Sequence, residues 1–365
     1  MVDTELRKYH PKFKEQLIDF LGTGMSWEEL SDKKRKELFE WKYEKNPYTE
    51  KPLCFLALHD DKVVGHRGFV AQKFRSKKDE HLFAIPGDSM VHTDYRRLGI
   101  FSDLVEFSNN DIIYNSDVDL FLSLSTTKAT TEATKRYGYV PVGERKKLYR
   151  FSIKNIFNYR YNDGIDLNKT ISSKKTGHTI EITDEVKKED MIDLMDSYKK
   201  DKKLKNLRDE EFYRWRFEEC PNDHIFIYFW NRDELEAYVS MEKDKFPFFG
   251  LNLDYYSLLE YGYTEIRIFE ELVKTLTKKL SLPFIMSYIF TRKEEEISTL
   301  RDHGFKGSDS YLINSLQNRG LLDEEGLPGI LVRPASKKVG DKDFYLDNTD
   351  TRKEKNWSLF WSDVH

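Results

Sequence analysis

The residues best suited to chemistry in this 365-residue chain lie in one run, Asp88-Ser89-Met90-Val91-His92-Thr93-Asp94-Tyr95-Arg96-Arg97-Leu98-Gly99-Ile100-Phe101-Ser102-Asp103-Leu104-Val105. Its first residues read as an extended strand, and Ile100, Leu104, Val105 and Phe107 suit one buried face of a helix. Gly99 stands at the junction, where a residue without a Cβ takes left-handed angles and lets a ligand approach the backbone. The first amides of a helix have no partners inside it, and the aligned peptide dipoles add partial positive charge there. With Arg96 and Arg97 just ahead, the expected chemistry is anion binding, best suited to a phosphate or pyrophosphate.

The run Arg96-Arg97-Leu98-Gly99-Ile100-Phe101 resembles the Arg/Gln-x-x-Gly-x-Gly/Ala loop of the GNAT acyltransferases, and Val91-His92-Thr93-Asp94-Tyr95 resembles the strand end that precedes it. The resemblance covers about residues 4–152. It implies that Arg96, Arg97, Leu98, Gly99, Ile100, Phe101 and Ser102 hold the pyrophosphate of coenzyme A. It also implies that the backbone of Met90 and Val91 holds the pantetheine and thioester carbonyl, with acetyl-CoA or another acyl-CoA as co-substrate and no metal. Phe101 replaces the usual second small residue, at little cost because the N–H makes the contact. The family often has an acidic tyrosine four residues before a Gly-aromatic pair. Here Gly138-Tyr139 puts Thr134 at that place, and a threonine hydroxyl does not readily give up a proton at neutral pH. The catalytic candidates are Asp88 as a base for the amine, Thr134 at the place of the acid, and Tyr137, whose expected role is packing. His92 is expected to be a surface or hydrogen-bonding residue.

The elements that position these residues occur twice. Leu38-Phe39-Glu40-Trp41-Lys42-Tyr43-Glu44-Lys45-Asn46-Pro47 aligns with Phe212-Tyr213-Arg214-Trp215-Arg216-Phe217-Glu218-Glu219-Cys220-Pro221 at an offset of 215 − 41 = 174 positions. The offset holds without a gap from about residue 6 to residue 47. Each copy reads as a short strand (5–9; 179–183), two helical segments stopped by proline, and two apolar strands (53–58 and 63–74; 225–230 and 235–242). A further strand, a long helix, a core strand (118–124; 282–289), a short helix and an aromatic turn (Tyr137-Gly138-Tyr139; His303-Gly304-Phe305) follow. The expected class is α/β with a mixed sheet: two tandem GNAT-like domains at 1–158 and 178–318, a polar linker at 159–177 and a C-terminal extension at 319–365. Trp357, Phe360 and Trp361 are expected to fasten that extension to a domain. At the place of the phosphate loop the second copy offers Glu260, Gly262 and Glu265 and no preceding basic residue. It therefore reads as a degenerate copy that binds no coenzyme A, since carboxylates oppose a phosphate.

Sixty Lys and Arg against 64 Asp and Glu leave a net charge of −4, which argues against a chain devoted to nucleic acid. No apolar run reaches the roughly 20 residues of a spanning helix, and the start of the chain lacks an apolar signal core, so a cytoplasmic location is expected. Cys54 and Cys220 read as buried reduced thiols without metal-ligand spacing. No nucleophilic triad, zinc pattern or Walker loop occurs. The function implied by the resemblance is acyl transfer from acyl-CoA to a primary amine of a small molecule or peptide. A non-catalytic acyl-CoA-binding scaffold, a Fem-type aminoacyl transferase and an N-myristoyltransferase-like enzyme remain as rivals.

Overall fold

The computed structural model describes residues 3–24, 27–77, 79–124, 128–144, 146–152, 165–172, 177–197, 203–248, 251–280, 282–289, 294–319 and 328–363. Two mixed sheets carry the fold. Their strands are β1 (Glu5–Lys8), β2 (Leu53–His59), β3 (Lys62–Arg75), β4 (Glu80–Val91), β5 (Val118–Ser123), β6 (Val140–Glu144), β7 (Lys146–Phe151), β8 (Lys169–Ser172), β9 (Thr179–Thr183), β10 (Leu204–Asn206), β11 (His224–Asn231), β12 (Glu234–Phe248), β13 (Leu251–Tyr263), β14 (Phe284–Ile289) and β15 (Pro328–Pro334). The first sheet runs β1-β2-β3-β4-β5-β15-β6, with β10 and the short strand Trp357–Ser358 added at the far end of β3. The second runs β8-β9-β11-β12-β13-β14-β7.

The two sheets have traded a strand. β6 and β7 are separated by a single residue, yet β6 lies in the first sheet and β7 pairs with β14 in the second. β15, from the region read as a C-terminal extension, enters the first sheet between β5 and β6. Its sequence fits a central strand: Ile330, Leu331 and Val332 are wholly buried, with Leu331 facing one apolar cluster and its neighbours the other. The sequence reading placed residues 146–151 with the first domain and 328–334 outside both domains. The pairings differ from that reading because strand membership is settled by which edge is open, not by chain continuity. Part of the expected linker is also a strand, β8, paired with β9.

The helical segment before β2 comprises α1 (Lys14–Leu21) and α2 (Asp32–Phe39) and ends in a wider π-helical turn, Glu40–Glu44. That turn buries three consecutive side chains, Trp41, Lys42 and Tyr43. The same device recurs at Arg214–Glu218, which buries Trp215, Arg216 and Phe217. The paired tryptophans of the repeat meet face to face, with ring centroids 5.0 Å apart. Trp41 Nε1 donates to the Trp215 carbonyl at 2.7 Å, and Trp215 Nε1 donates to the Trp41 carbonyl at 3.1 Å. This reciprocal contact is the pattern of a two-fold axis, here between two copies in one chain. The tail closes over the other end of the first sheet, where Trp357 is wholly buried against Phe74 and Phe83. Cys54 and Cys220 are buried free thiols.

Candidate functional site

The site begins where β4 leaves its neighbour. β4 pairs with β3 along its length, but its parallel ladder with β5 includes only Leu82, Phe83 and Ala84. From residue 85 to residue 91 no described strand pairs with that side of β4, so a wedge opens between the two strands. In the same stretch β4 bulges against β3: His66 faces Met90 and Gly68 faces Gly87, so Asp88 and Ser89 share Arg67 as their opposite residue. Asp88 takes the strained left-handed conformation, with φ 48°. Met90 points into the cluster under α1 and α2, and Val91 into the cluster on the opposite face.

Past Val91 the chain makes a short 3-10 turn, Thr93–Tyr95, with the ring of His92 accepting from the Asp94 amide at 3.3 Å. Arg97 and Gly99 both adopt left-handed angles, with φ 66° and 90°. Helix α3 (Ile100–Asn115) starts there, capped by Gly99. A Cβ on Gly99 would meet nothing closer than 3.9 Å, so the backbone angle, not crowding, calls for glycine. The first bond into the helix is from the Asp103 amide to the Gly99 carbonyl, 3.1 Å. The amides of Ile100, Phe101 and Ser102 precede that bond and point out of the helix end. Leu104, Val105 and Ile112 are buried and fix the helix on the sheet, while Arg96, Arg97 and Leu98 are exposed. The Arg96 amide is already bonded to the Thr93 carbonyl at 3.3 Å, so Arg96 offers this loop its side chain instead.

Of the three catalytic candidates, Thr134 and Tyr137 are joined by a bond from the Tyr137 amide to the Thr134 carbonyl at 2.9 Å, while Asp88 has other partners. Asp88 is buried on the face toward α2, where its carboxylate receives Lys42 Nζ at 2.8 Å and Tyr43 OH at 2.7 Å. Thr134 is buried in α4 (Lys128–Lys135), its hydroxyl bonded back to the Thr131 carbonyl at 3.2 Å. Tyr137 packs with the α3 face, and its carbonyl accepts Arg333 Nε at 2.7 Å. The polar residues around the bulge that sequence reading missed are Lys42, Tyr43, His66, Arg67 and Tyr139. The signal was present: His66 and Arg67 interrupt the apolar stretch Val63–Ala71 of β3, and both are almost wholly buried. His66 Nδ1 lies 2.8 Å from the Asp88 carbonyl, an acceptor only, so Nδ1 carries the proton and Nε2 is a bare acceptor. Burial lowers the His66 pKa to about 4, and burial lifts the Tyr43 hydroxyl well above its ordinary value.

The second half has the same wedge but a different filling. β13 pairs with β14 only at Tyr256, Ser257 and Leu258. Between the end of β13 and the helix Ile266–Lys274 only residues 264 and 265 intervene, against residues 92–99 in the first half. Gly262 is not at the helix start, as the sequence alignment had it, but inside β13, where a Cβ would press on the Tyr238 ring at 2.7 Å. The cap is Glu265, in extended conformation. Glu260 is likewise not at the turn. It is wholly buried, within 2.6 Å of Arg208 Nε and accepting Tyr213 OH at 2.9 Å, Ser362 Oγ at 2.8 Å and the Tyr238 hydroxyl. Tyr261 and Tyr263 reach across to Glu296, at 2.8 and 2.6 Å. A cavity of about 320 Å³ adjoins them, bordered also by Arg75, Lys205 and Arg208. Arg75 is at the end of β3 remote from the Gly65–Val91 pair, so this cavity is not the wedge beside Gly99.

The site thus defined is a parted pair of parallel strands with a glycine-capped helix start at its mouth. No protein-family model matches the sequence, and no curated protein matches it. Solved structures do share the architecture, among them the following three. A probable N-acyltransferase from Enterococcus faecalis V583, a conserved protein of unknown function, superposes with a TM-score of 0.60 at 10% identity, over 91% of this chain and 73% of its own. A GCN5-related N-acetyltransferase from Anabaena variabilis ATCC 29413 gives 0.59 at 9% identity, over 92% and 73%. A GCN5-related N-acetyltransferase from Kribbella flavida gives 0.54 at 10%, over 91% and 71%. The chain has the GNAT fold.

Proposed function

We propose that the first half binds an acyl-CoA and transfers its acyl group, acetyl in the simplest case, to a primary amine of a small molecule or peptide. The observation that carries this reading is the left-handed turn at Arg97 and Gly99, feeding α3 beside a strand that has parted from its neighbour. The amides at the start of α3, with the exposed Arg96 and Arg97 side chains, would hold the diphosphate. The unpaired edge of β4, at Met90 and Val91, would hold the pantetheine and polarise the thioester carbonyl. The amine nitrogen then bonds to the carbonyl carbon, the C–S bond breaks, the nitrogen releases a proton and the thiolate takes one up. Positioning two substrates in one cleft supplies most of the expected acceleration. In this reading the second half binds no coenzyme A, no nucleic acid or membrane partner is involved, and the protein works in the cytoplasm. Among the described residues no helix is long and apolar enough to cross a membrane.

A side chain at Gly99 would be strained at φ 90° and would bring a carboxylate to the anion site if it were glutamate. Gly99→Glu should therefore abolish acetyl-CoA binding in calorimetry while circular dichroism stays unchanged, and retained affinity would refute the loop assignment. One observation favours a second reading, a non-catalytic acyl-CoA-binding protein: the Asp88 carboxylate and the Thr134 hydroxyl are both engaged in structural bonds. Turnover of acetyl-CoA with a panel of amines separates the two.

A further inference from the structure

Arg67 lies on β3 opposite the bulge and is 1% exposed. Its Nη1 is 3.5 Å from Ser89 Oγ and its Nη2 3.5 Å from the Tyr139 hydroxyl, both at the outer limit of a hydrogen bond. Nε has no acceptor among the described residues. The rings of Phe69 and Phe101 flank the guanidinium at 4.9 and 5.9 Å. No carboxylate among the described residues is within ion-pairing distance of it. Other buried arginines are treated differently. Arg208 lies 2.6 Å from both Glu260 and Asp363. Arg333 donates to the carbonyls of Tyr137 at 2.7 Å and Pro334 at 2.8 Å, and Arg216 to that of Ser362 at 3.2 Å.

A guanidinium stays protonated in proteins, and burying one without a counter-charge is costly. Burial indeed pulls the Arg67 pKa below the ordinary arginine value. Phe101 belongs to the first turn of α3, so the positive end of a helix dipole adds to the same field. The fold has concentrated positive charge beside the bulge of β4 and supplied no anion to it among the described residues.

We propose that Arg67 is the receptor for an oxyanion that the acyl-CoA carries into the wedge, the terminal carboxylate of a dicarboxylic acyl group. This rests on the acyl-CoA reading given above. The acyl end is favoured over the diphosphate because Arg67 reaches Ser89, in the unpaired stretch of β4 and one residue from Met90, whose backbone is assigned to the thioester. The loop amides lie beyond Val91. The two oxyanions share one chemistry, and titration tells them apart.

The experiment is calorimetry of wild type, Arg67→Met and Arg67→Lys with coenzyme A, acetyl-CoA and succinyl-CoA. Wild type should bind succinyl-CoA about tenfold or more tighter than acetyl-CoA, the effect of one charge-assisted bond, and Arg67→Met should erase that difference. If Arg67→Met weakens all three ligands alike, the oxyanion is the diphosphate and Arg67 is still an anion receptor. If all three bind Arg67→Met within about twofold of wild type, the proposal is overturned while the acyl-CoA reading stands. If wild type binds none of them, that reading falls and the proposal with it. A merely structural Arg67 would make Arg67→Met melt lower without ligand; an anion receptor should leave the melting temperature unchanged or raised, since an unpaired buried charge has been removed. Should the Met variant not fold, Arg67→Lys keeps the charge but loses the fork, and undiminished succinyl-CoA binding by it would overturn the proposal.

Discussion

Lys42 and Asp88 form a buried pair whose two charges are each less than a tenth exposed. Removing one member of such a pair typically costs about 3–5 kcal/mol because the other charge is left uncompensated. Asp88→Asn should lower stability to urea by roughly that amount, and adding Lys42→Met should restore most of it. A loss of activity without loss of stability in Asp88→Asn would instead favour the role of a base. His66 and His224 each contribute a pH dependence of one sign. Burial lowers their pKa values to about 4 and about 3, so between the ordinary histidine value and those values the unfolded chain binds more protons than the folded one. The stability they contribute is complete above pH ~6.5 and falls as pH drops toward 4. Denaturant midpoints measured from pH 7 to pH 4 should fall less steeply in His66→Gln than in wild type, and equal slopes would contradict the burial argument. At this scale the turn into α3 was legible because a glycine at a helix start is a local signal. The fates of Asp88, His66 and Arg67 were not, because a bulge and a π-helical turn decided which groups they meet.

Among the elements, the strand exchange has the largest consequence. β15 sits between β5 and β6, so a chain ending at residue 327 would leave β6 without its described neighbour and expose the cluster around Phe74 and Phe83. Ile330, Val332, Phe344, Trp357 and Leu359 go with the deleted part, so Phe74 and Phe83 lose their cover. That truncation should destroy the cooperative unfolding of the whole protein, including the first half. A well-folded first half in its circular dichroism and melting curve would show that the exchange is dispensable. The periodic elements were readable in the sequence: the strands expected at 53–58, 63–74 and 179–183 match β2, β3 and β9 closely. The exchange was not readable, because nothing local in β7 or β15 says which sheet edge each will fill. The alignment of Gly262 with Gly99 misled for a related reason. The constant offset of the repeat stops at residue 47, since β2 and β11 begin 224 − 53 = 171 positions apart, and the second connection is much shorter than the first.

At the scale of the molecule, the two halves meet at the stacked Trp41 and Trp215, share the same parted strands, and differ at the mouth of the wedge. The first half presents a left-handed turn and unpaired helix amides. The second presents a short connection capped by Glu265, with Tyr261 and Tyr263 bonded across to Glu296. Tail residues Ser362 and Asp363 close the inner face of that second wedge through Glu260 and Arg208. Calorimetric titration of the full chain with acetyl-CoA tests this division of labour most directly. The account expects one equivalent per chain, lost in Gly99→Glu and unaffected by Glu265→Gln; two equivalents, or binding that survives Gly99→Glu, would contradict it.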